Sequence, residues 1–181
     1  MAESRIKIQL KILHQNLGAE HWEDYKKINQ NFRKEIGAAS ADYKLARDYI
    51  DRGLQVIILA FCGTEPAGFI RLDLRSQPPV IGDVYVEPKF RGEMAVENAP
   101  WLKNEESYKV WQHLDKAAHV IGKRLAHTDP ESYVHTEVGQ RIRDWRMSEK
   151  NKWESEVNVR EPKELFDLLE KNKRPSKVSR I

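Results

Sequence analysis

The sequence predicts a mixed α/β sheet with helices packed on both faces. Three observations carry that expectation. Residues 54–61 form a nearly continuous apolar run, LQVIILAF, as an interior strand covered on both sides requires. Segments before and after it alternate apolar and polar residues with the two-residue period of half-buried strands. Three other stretches repeat apolar residues at spacings of three and four, the signature of helices with one buried face.

Taken in order, residues 5–13 place Ile6, Ile8, Leu10 and Ile12 on one side of a first strand. Trp22, Tyr25, Ile28, Phe32 and Ile36 then line one face of a helix stopped by Gly37. A shorter helix follows, with Tyr43, Leu45, Ala46, Tyr49 and Ile50 inward and Gly53 as its stop. After the strand at 54–61, Gly63, Pro66 and Gly68 mark a turn, and residues 69–75 alternate as a hairpin partner with one wet face that ends at Gln77-Pro78-Pro79. Residues 80–86 make another strand. Residues 93–106 read as polar and irregular, since Pro100 opposes a continuous helix. Tyr108, Trp111, Leu114, Ala118, Ile121 and Leu125 then predict a helix of about five turns, closed by Asp129-Pro130. A strand at 132–138, a basic helix at 139–153, a strand at 154–159 and a helix at 162–170 complete the expected order, with no internal repeat.

The chain has 181 residues, 40% hydrophobic and 33% charged, which suits one domain with a real core and excludes a disordered chain. No apolar run approaches the roughly 20 residues that span a bilayer, and the first residues alternate charge with apolar groups instead of forming a secretory signal, so a soluble, cytoplasmic protein is expected. Cys62 is the single cysteine, which excludes an internal disulfide and a cysteine-rich metal cage. The net charge of +3 is a property of the end of the chain. Residues 171–181 hold five basic residues and no acid, leaving 26 basic against 28 acidic residues elsewhere. We therefore expect one domain over residues 1–170 and a basic, mobile tail over 171–181.

Residues 82–92, Gly-Asp-Val-Tyr-Val-Glu-Pro-Lys-Phe-Arg-Gly, carry the most specific local pattern: an acid, a hydrophobic–aromatic–hydrophobic strand end, a proline two residues on, and an Arg-Gly pair. This resembles the end of the fourth strand and the start of the acyl-CoA loop in the GCN5-related N-acetyltransferase superfamily, and the residues around 53–60 and 67–72 are similar to that family's second and third strands. The resemblance implies a mixed sheet of that type over roughly residues 5–160, with acetyl-CoA as cofactor. It would place the pantetheine arm along the backbone of Val84, Tyr85 and Val86, and the pyrophosphate near Arg91 and Gly92. Unpaired amides at a loop leading into a helix suit an anion. The chain departs from the pattern after Gly92, where Met94 stands at the expected second glycine, Glu93 and Glu97 add negative charge, and the matching helix starts only near Glu106. Either an insertion has displaced the loop or the cofactor site is degraded.

Transfer of an acetyl group to an amine needs a base for the ammonium and a proton donor for the leaving thiolate. Asp83 and Glu137, with His135 on the same strand face as Glu137, are the candidate bases, and Tyr133 or Tyr85 the candidate donor; each also reads as an ordinary strand-end carboxylate or sheet aromatic. The histidines lack ligand spacing, so no metal site is expected. Arg141, Arg143, Arg146, Lys150 and Lys152, interleaved with Trp145 and Trp153, could grip single-stranded nucleic acid, although a solvated helix explains them better. The expected function is acetyl-CoA-dependent N-acetylation of an amine on a small molecule or protein, with no membrane partner. The alternative is the same scaffold without acyl-CoA activity, binding a protein or a nucleic acid.

Overall fold

Gln55–Cys62 (β2) is enclosed along nearly its whole length, and its alternating side chains divide the core in two. Val56, Ile58 and Ala60 join a cluster on one face of the sheet, while Ile57, Leu59 and Phe61 join another on the opposite face. A strand apolar on both sides must be covered twice. The computed structural model describes residues 7–91, 93–96, 108–132, 140–141, 143–145 and 147–148, and within them both covers are present.

The elements run Lys7–Leu13 (β1), Trp22–Glu35 (α1), Tyr43–Asp51 (α2), β2, Glu65–Asp73 (β3), Val80–Val86 (β4), Glu93–Val96 (β5), Tyr108–Lys109 (β6), Val110–Ala126 (α3) and Glu131–Ser132 (β7). They form one sheet of order β6-β5-β1-β2-β3-β4-β7. β1 to β4 pair antiparallel in sequence, whereas β5 joins β1 and β7 joins β4 in parallel. The mixed sheet flanked by helices is therefore as expected.

α3 covers one face. Its Val110, Leu114, Ala117, Ala118 and Ile121 meet Ile8, Leu10, Ile12, Ile70, Leu72 and Ile81. α1 and α2 cover the other through Tyr25, Ile28 and Ile50, which meet Ile57, Leu59, Phe69 and Tyr85. α2 starts where the Asp42 carboxylate accepts a hydrogen bond from the Leu45 amide at 3.1 Å, a side-chain cap. At Gly68 the backbones of β3 and β4 approach so closely that a Cβ would lie 2.7 Å from the Tyr85 carbonyl oxygen, so only glycine fits.

Several sequence expectations change. The segment after Gly92 is not irregular: residues 93–96 form β5, which bridges β1 and β6 at the far side of the sheet from β4. Apolar periodicity misses it because four residues are too few to show a period. Tyr108 belongs to β6, and α3 begins at Val110. The hairpin turn is shorter than predicted, with β3 already paired at Glu65, and the strand ends at Asp73. Leu45 and Ile36 stand largely in solvent, because α2 is short and α1 ends before Ile36. His113 and His119 are buried on α3, where packing encloses even polar positions. Of the predicted strand at 132–138 only Ser132 is described, and the helix at 139–153 is described only at scattered positions; the elements beyond it and the tail at 171–181 lie outside the described residues.

Phe69 is fully buried and meets Tyr25, Phe32 and Tyr85 with ring centroids 5.6, 5.7 and 6.3 Å away. Phe69→Ala is expected to lower the unfolding free energy by roughly 3–5 kcal/mol, read from denaturant midpoints with an unchanged slope. A loss below about 1 kcal/mol would contradict this packing.

Candidate active site on the bulged fourth strand

β4 contains a bulge. Ile70 lies opposite Val84 and Leu72 opposite Ile81, so Gly82 and Asp83 together oppose Arg71. The Arg71 guanidinium crosses over Gly82, where a Cβ would fall 2.7 Å from its Cζ. It donates from Nε to Asp83 Oδ2 at 3.3 Å and reaches Asp73 Oδ2 with Nη1 at 3.6 Å. Arg75 grips the same Asp73, its Nη2 donating to Oδ2 at 2.6 Å, and rests over the Tyr49 ring at 4.4 Å. Charges of alternating sign thus run along the α1/α2 face of β3 and β4. Burial alone would raise the Asp73 carboxyl, but the Arg75 hydrogen bonds and the two guanidinium charges hold it below the ordinary carboxylate value.

Tyr25 stands on α1 above this row, edge-on to Phe69. Burial pushes its hydroxyl up to about 12, with Arg71 pulling it down and Asp83 pushing it up, so it is a neutral donor in the working range. Further along β4, the Tyr85 hydroxyl donates to Glu87 Oε2 at 3.3 Å, and Asn31 Nδ2 donates to Glu87 Oε1 at 2.7 Å. Burial and then the Glu87 and Glu35 charges raise the Tyr85 hydroxyl well above the usual phenol range. Arg91 donates to both Glu35 carboxylate oxygens at 2.9 and 3.0 Å, and this hydrogen bond lowers the Glu35 carboxyl.

The backbone direction of β4 follows from one contact. The Glu87 amide donates to Ala67 O at 2.8 Å and so points toward β3. By alternation, Val84 and Val86 turn their N–H and C=O groups to the opposite edge. Arg91 Nε takes the Val86 carbonyl there at 2.8 Å. β7 pairs only Val80 and Ile81 among the described residues, so the Val84 amide and carbonyl and the Val86 amide meet no described strand. Such an edge suits the amides of a pantetheine arm, which would bind as an added strand. At the phosphate end the match is poorer, since Arg91 is already paired and the chain holds no glycine between Gly92 and Gly122.

Of the expected site residues, Asp83, Val84, Tyr85, Val86 and Arg91 come together on β4 and the turn after it. Gly92, Tyr133, His135 and Glu137 lie outside the described residues. Arg71, Asp73, Tyr25 and Glu35 were not singled out from the sequence. The alternation of Arg71, Asp73 and Arg75 along one wet strand face was the available signal, but nothing local names Asp83 as their neighbour.

Comparison with solved structures gives the class to which this geometry corresponds. The aminoglycoside N-acetyltransferase AAC(6')-Iy in complex with CoA aligns with a TM-score of 0.55 at 11% identity, over 82% of this chain and 89% of that one. A protein described as a probable acetyltransferase aligns with a TM-score of 0.51 at 21% identity, over 75% and 85%. An aminoglycoside acetyltransferase from an uncultured soil metagenomic sample, in complex with trehalose, aligns at 0.51 and 11% identity, over 78% and 86%. No protein-family model and no curated protein matches the sequence. The chain has the fold of the N-acetyltransferases, the fold that the resemblance at residues 82–92 implies.

The ion pair at Asp73 sets a pH dependence. A carboxyl whose folded value lies below its unfolded one stabilises the fold above the ordinary carboxylate range, and that stability is lost as pH falls through the folded value. Arg75→Ala is therefore expected to cost on the order of 1 kcal/mol or less at pH 7, allowing for solvent screening of the half-exposed guanidinium. The deficit should shrink as the pH drops below 3.8, the ordinary Asp value, toward about pH 2.5. Denaturant titrations of both proteins at the two pH values check it, and a deficit equal at both would rule out the pair.

Proposed function

We propose that the protein is an acetyl-CoA-dependent N-acetyltransferase with an amine acceptor. The observation that carries this reading is the β4 bulge, which leaves Asp83 on the α1/α2 face while the next residues turn backbone donors and acceptors to the sheet edge. When bound, acetyl-CoA supplies a thioester whose C–S bond breaks as the acceptor nitrogen forms its bond to the acetyl carbon. The Asp83 carboxylate takes the proton that the acceptor ammonium must lose, directly or through one water. Arg71 fixes the orientation of that carboxylate from across Gly82. Tyr133 and Glu137 are kept as proposed donor and second base. The edge groups of Val84 and Val86 hold the pantetheine amides, and Arg91 and Gly92 are proposed to meet the phosphates.

A specific observation favours the second reading, a scaffold without acyl-CoA activity that binds a protein or nucleic acid. Arg91 is tied to Glu35, and residues 93–96 after it are a paired strand rather than a glycine loop. One titration separates the two. Under the transferase reading, acetyl-CoA at a hundred times its Kd should stabilise the protein by about 2.7 kcal/mol in a thermal shift. Asp83→Asn should keep that shift and lower kcat at least tenfold, about 1.4 kcal/mol of transition-state stabilisation. No shift at millimolar acetyl-CoA would establish the scaffold reading instead.

A further inference from the structure

The turn that leaves β4, residues 87–91, carries two cations, and both are taken. Lys89 pairs with Glu65 at the start of β3, and Arg91 pairs with Glu35, the last residue of α1. The Arg91 pair is the more constrained. Its Nη2 donates to both Glu35 oxygens at 2.9 and 3.0 Å while its Nε donates to the Val86 carbonyl at 2.8 Å, so the guanidinium is held at the end of the β4 edge. The contacts continue from Arg91 back to α1. The Arg91 Cζ lies 5.8 Å from the centre of the Tyr85 ring, the Tyr85 hydroxyl donates to Glu87 at 3.3 Å, and Glu87 accepts at 2.7 Å from Asn31, one helical turn before Glu35. A closed circuit thus fastens the last turn of α1 to the end of β4.

This circuit is open to solvent at the pair that closes it. The Arg91 and Glu35 side chains are 47% and 44% exposed, so a dissolved anion can reach them. A carboxylate and a phosphate offer a guanidinium the same kind of charged oxygen, and one can stand in for the other. Glu35 gains nothing from its own place in the helix, because a carboxylate in the last turn meets the negative end of the helix dipole. Exposed ion pairs are weak enough for a multiply charged phosphate to displace.

We propose that Glu35 is a built-in competitor for the cofactor: its carboxylate occupies on Arg91 the place that an acyl-CoA phosphate takes, and acyl-CoA binds by displacing it. The proposal rests on the acetyltransferase reading and accounts for the poor match at the phosphate end of the edge. Glu35 is a positioning residue that acts through Arg91. It sets the affinity of the free protein for acyl-CoA below what Arg91 and the edge would give without it.

Calorimetric titration of acetyl-CoA into the full chain and its variants tests the competition. Glu35→Gln is expected to bind about three- to fivefold tighter than the parent, the upper end for an exposed pair, since both carboxylate oxygens are engaged. Arg91→Met should bind more weakly than the parent. Adding Glu35→Gln to Arg91→Met should then recover less than half of the gain seen in the parent background, because no guanidinium remains to be freed. Glu87→Gln removes a neighbouring carboxylate but leaves the Arg91 pair in place, and should gain less than Glu35→Gln. Melting temperatures near that of the parent establish that the variants are folded. An equal gain with and without Arg91, or an equal gain in Glu87→Gln, reduces the effect to general charge and overturns the proposal. A parent that binds acetyl-CoA while Glu35→Gln binds no tighter loses the competitor and keeps the transferase reading, Glu35 then serving only to fasten α1. Failure of parent and Glu35→Gln alike to bind at millimolar acetyl-CoA removes the transferase reading and the competitor with it.

Discussion

The structure depends on the burial of β2 and β3 on both faces. Seven consecutive residues of β2, Gln55 to Phe61, are enclosed, and Phe69, Ile70 and Leu72 of β3 are equally so. Such strands cannot exist with one wet side, because their apolar side chains alternate above and below the sheet. α3 must therefore lie on one face and α1 with α2 on the other. The aromatic group of Tyr25, Phe32, Phe69 and Tyr85 is where α1 meets that demand most directly. Edge-on and tilted ring contacts add to the area they bury.

The polar face of the site is a consequence of where that burial ends. β3 is apolar at Phe69 but carries Arg71 and Asp73 two and four residues on, on the same face, at the margin of the α1/α2 cover. Charges at such a margin are retained when they pair, and these pair with Asp83 and Arg75. The bulge makes the Asp83 pair possible. Gly82 leaves room for the guanidinium, and the extra residue turns Asp83 to the side where Arg71 waits. The same bulge precedes the stretch whose backbone edge suits a pantetheine arm, so the Asp83 pair and that edge lie beside one irregularity.

The connection from β4 to α3 takes an unusual route. Arg91 is held by Glu35 of α1 and by the Val86 carbonyl, and the chain then crosses to the opposite side of the sheet to form β5 beside β1. Two short strands, β5 and β6, thus occupy part of the connection in which the resembling family carries glycines. Of the segment between the two strands, residues 97–107, nothing is described.

Much of the architecture was legible in the residues. Periodicity placed β1, α1, α2 and α3 within a few positions, because each buries a face whose repeat shows in the sequence, and a continuous apolar run placed β2. It failed where the repeat is too short to be seen, as in β5 and β6, and where an apolar residue has no partner to meet, as at Leu45 and Ile36. The motif at 82–92 pointed to β4 as the strand of the candidate site, with Asp83 as its candidate base. What the sequence by itself determined was a two-sided sheet, its helices and the strand on which the candidate site is proposed. The tertiary structure decided which groups meet there: Arg71 over Gly82, Tyr25 edge-on to Phe69 and Arg91 bound by Glu35. Those pairings join residues from 11 to 56 positions apart, and only the folded sheet brings them within reach of one another.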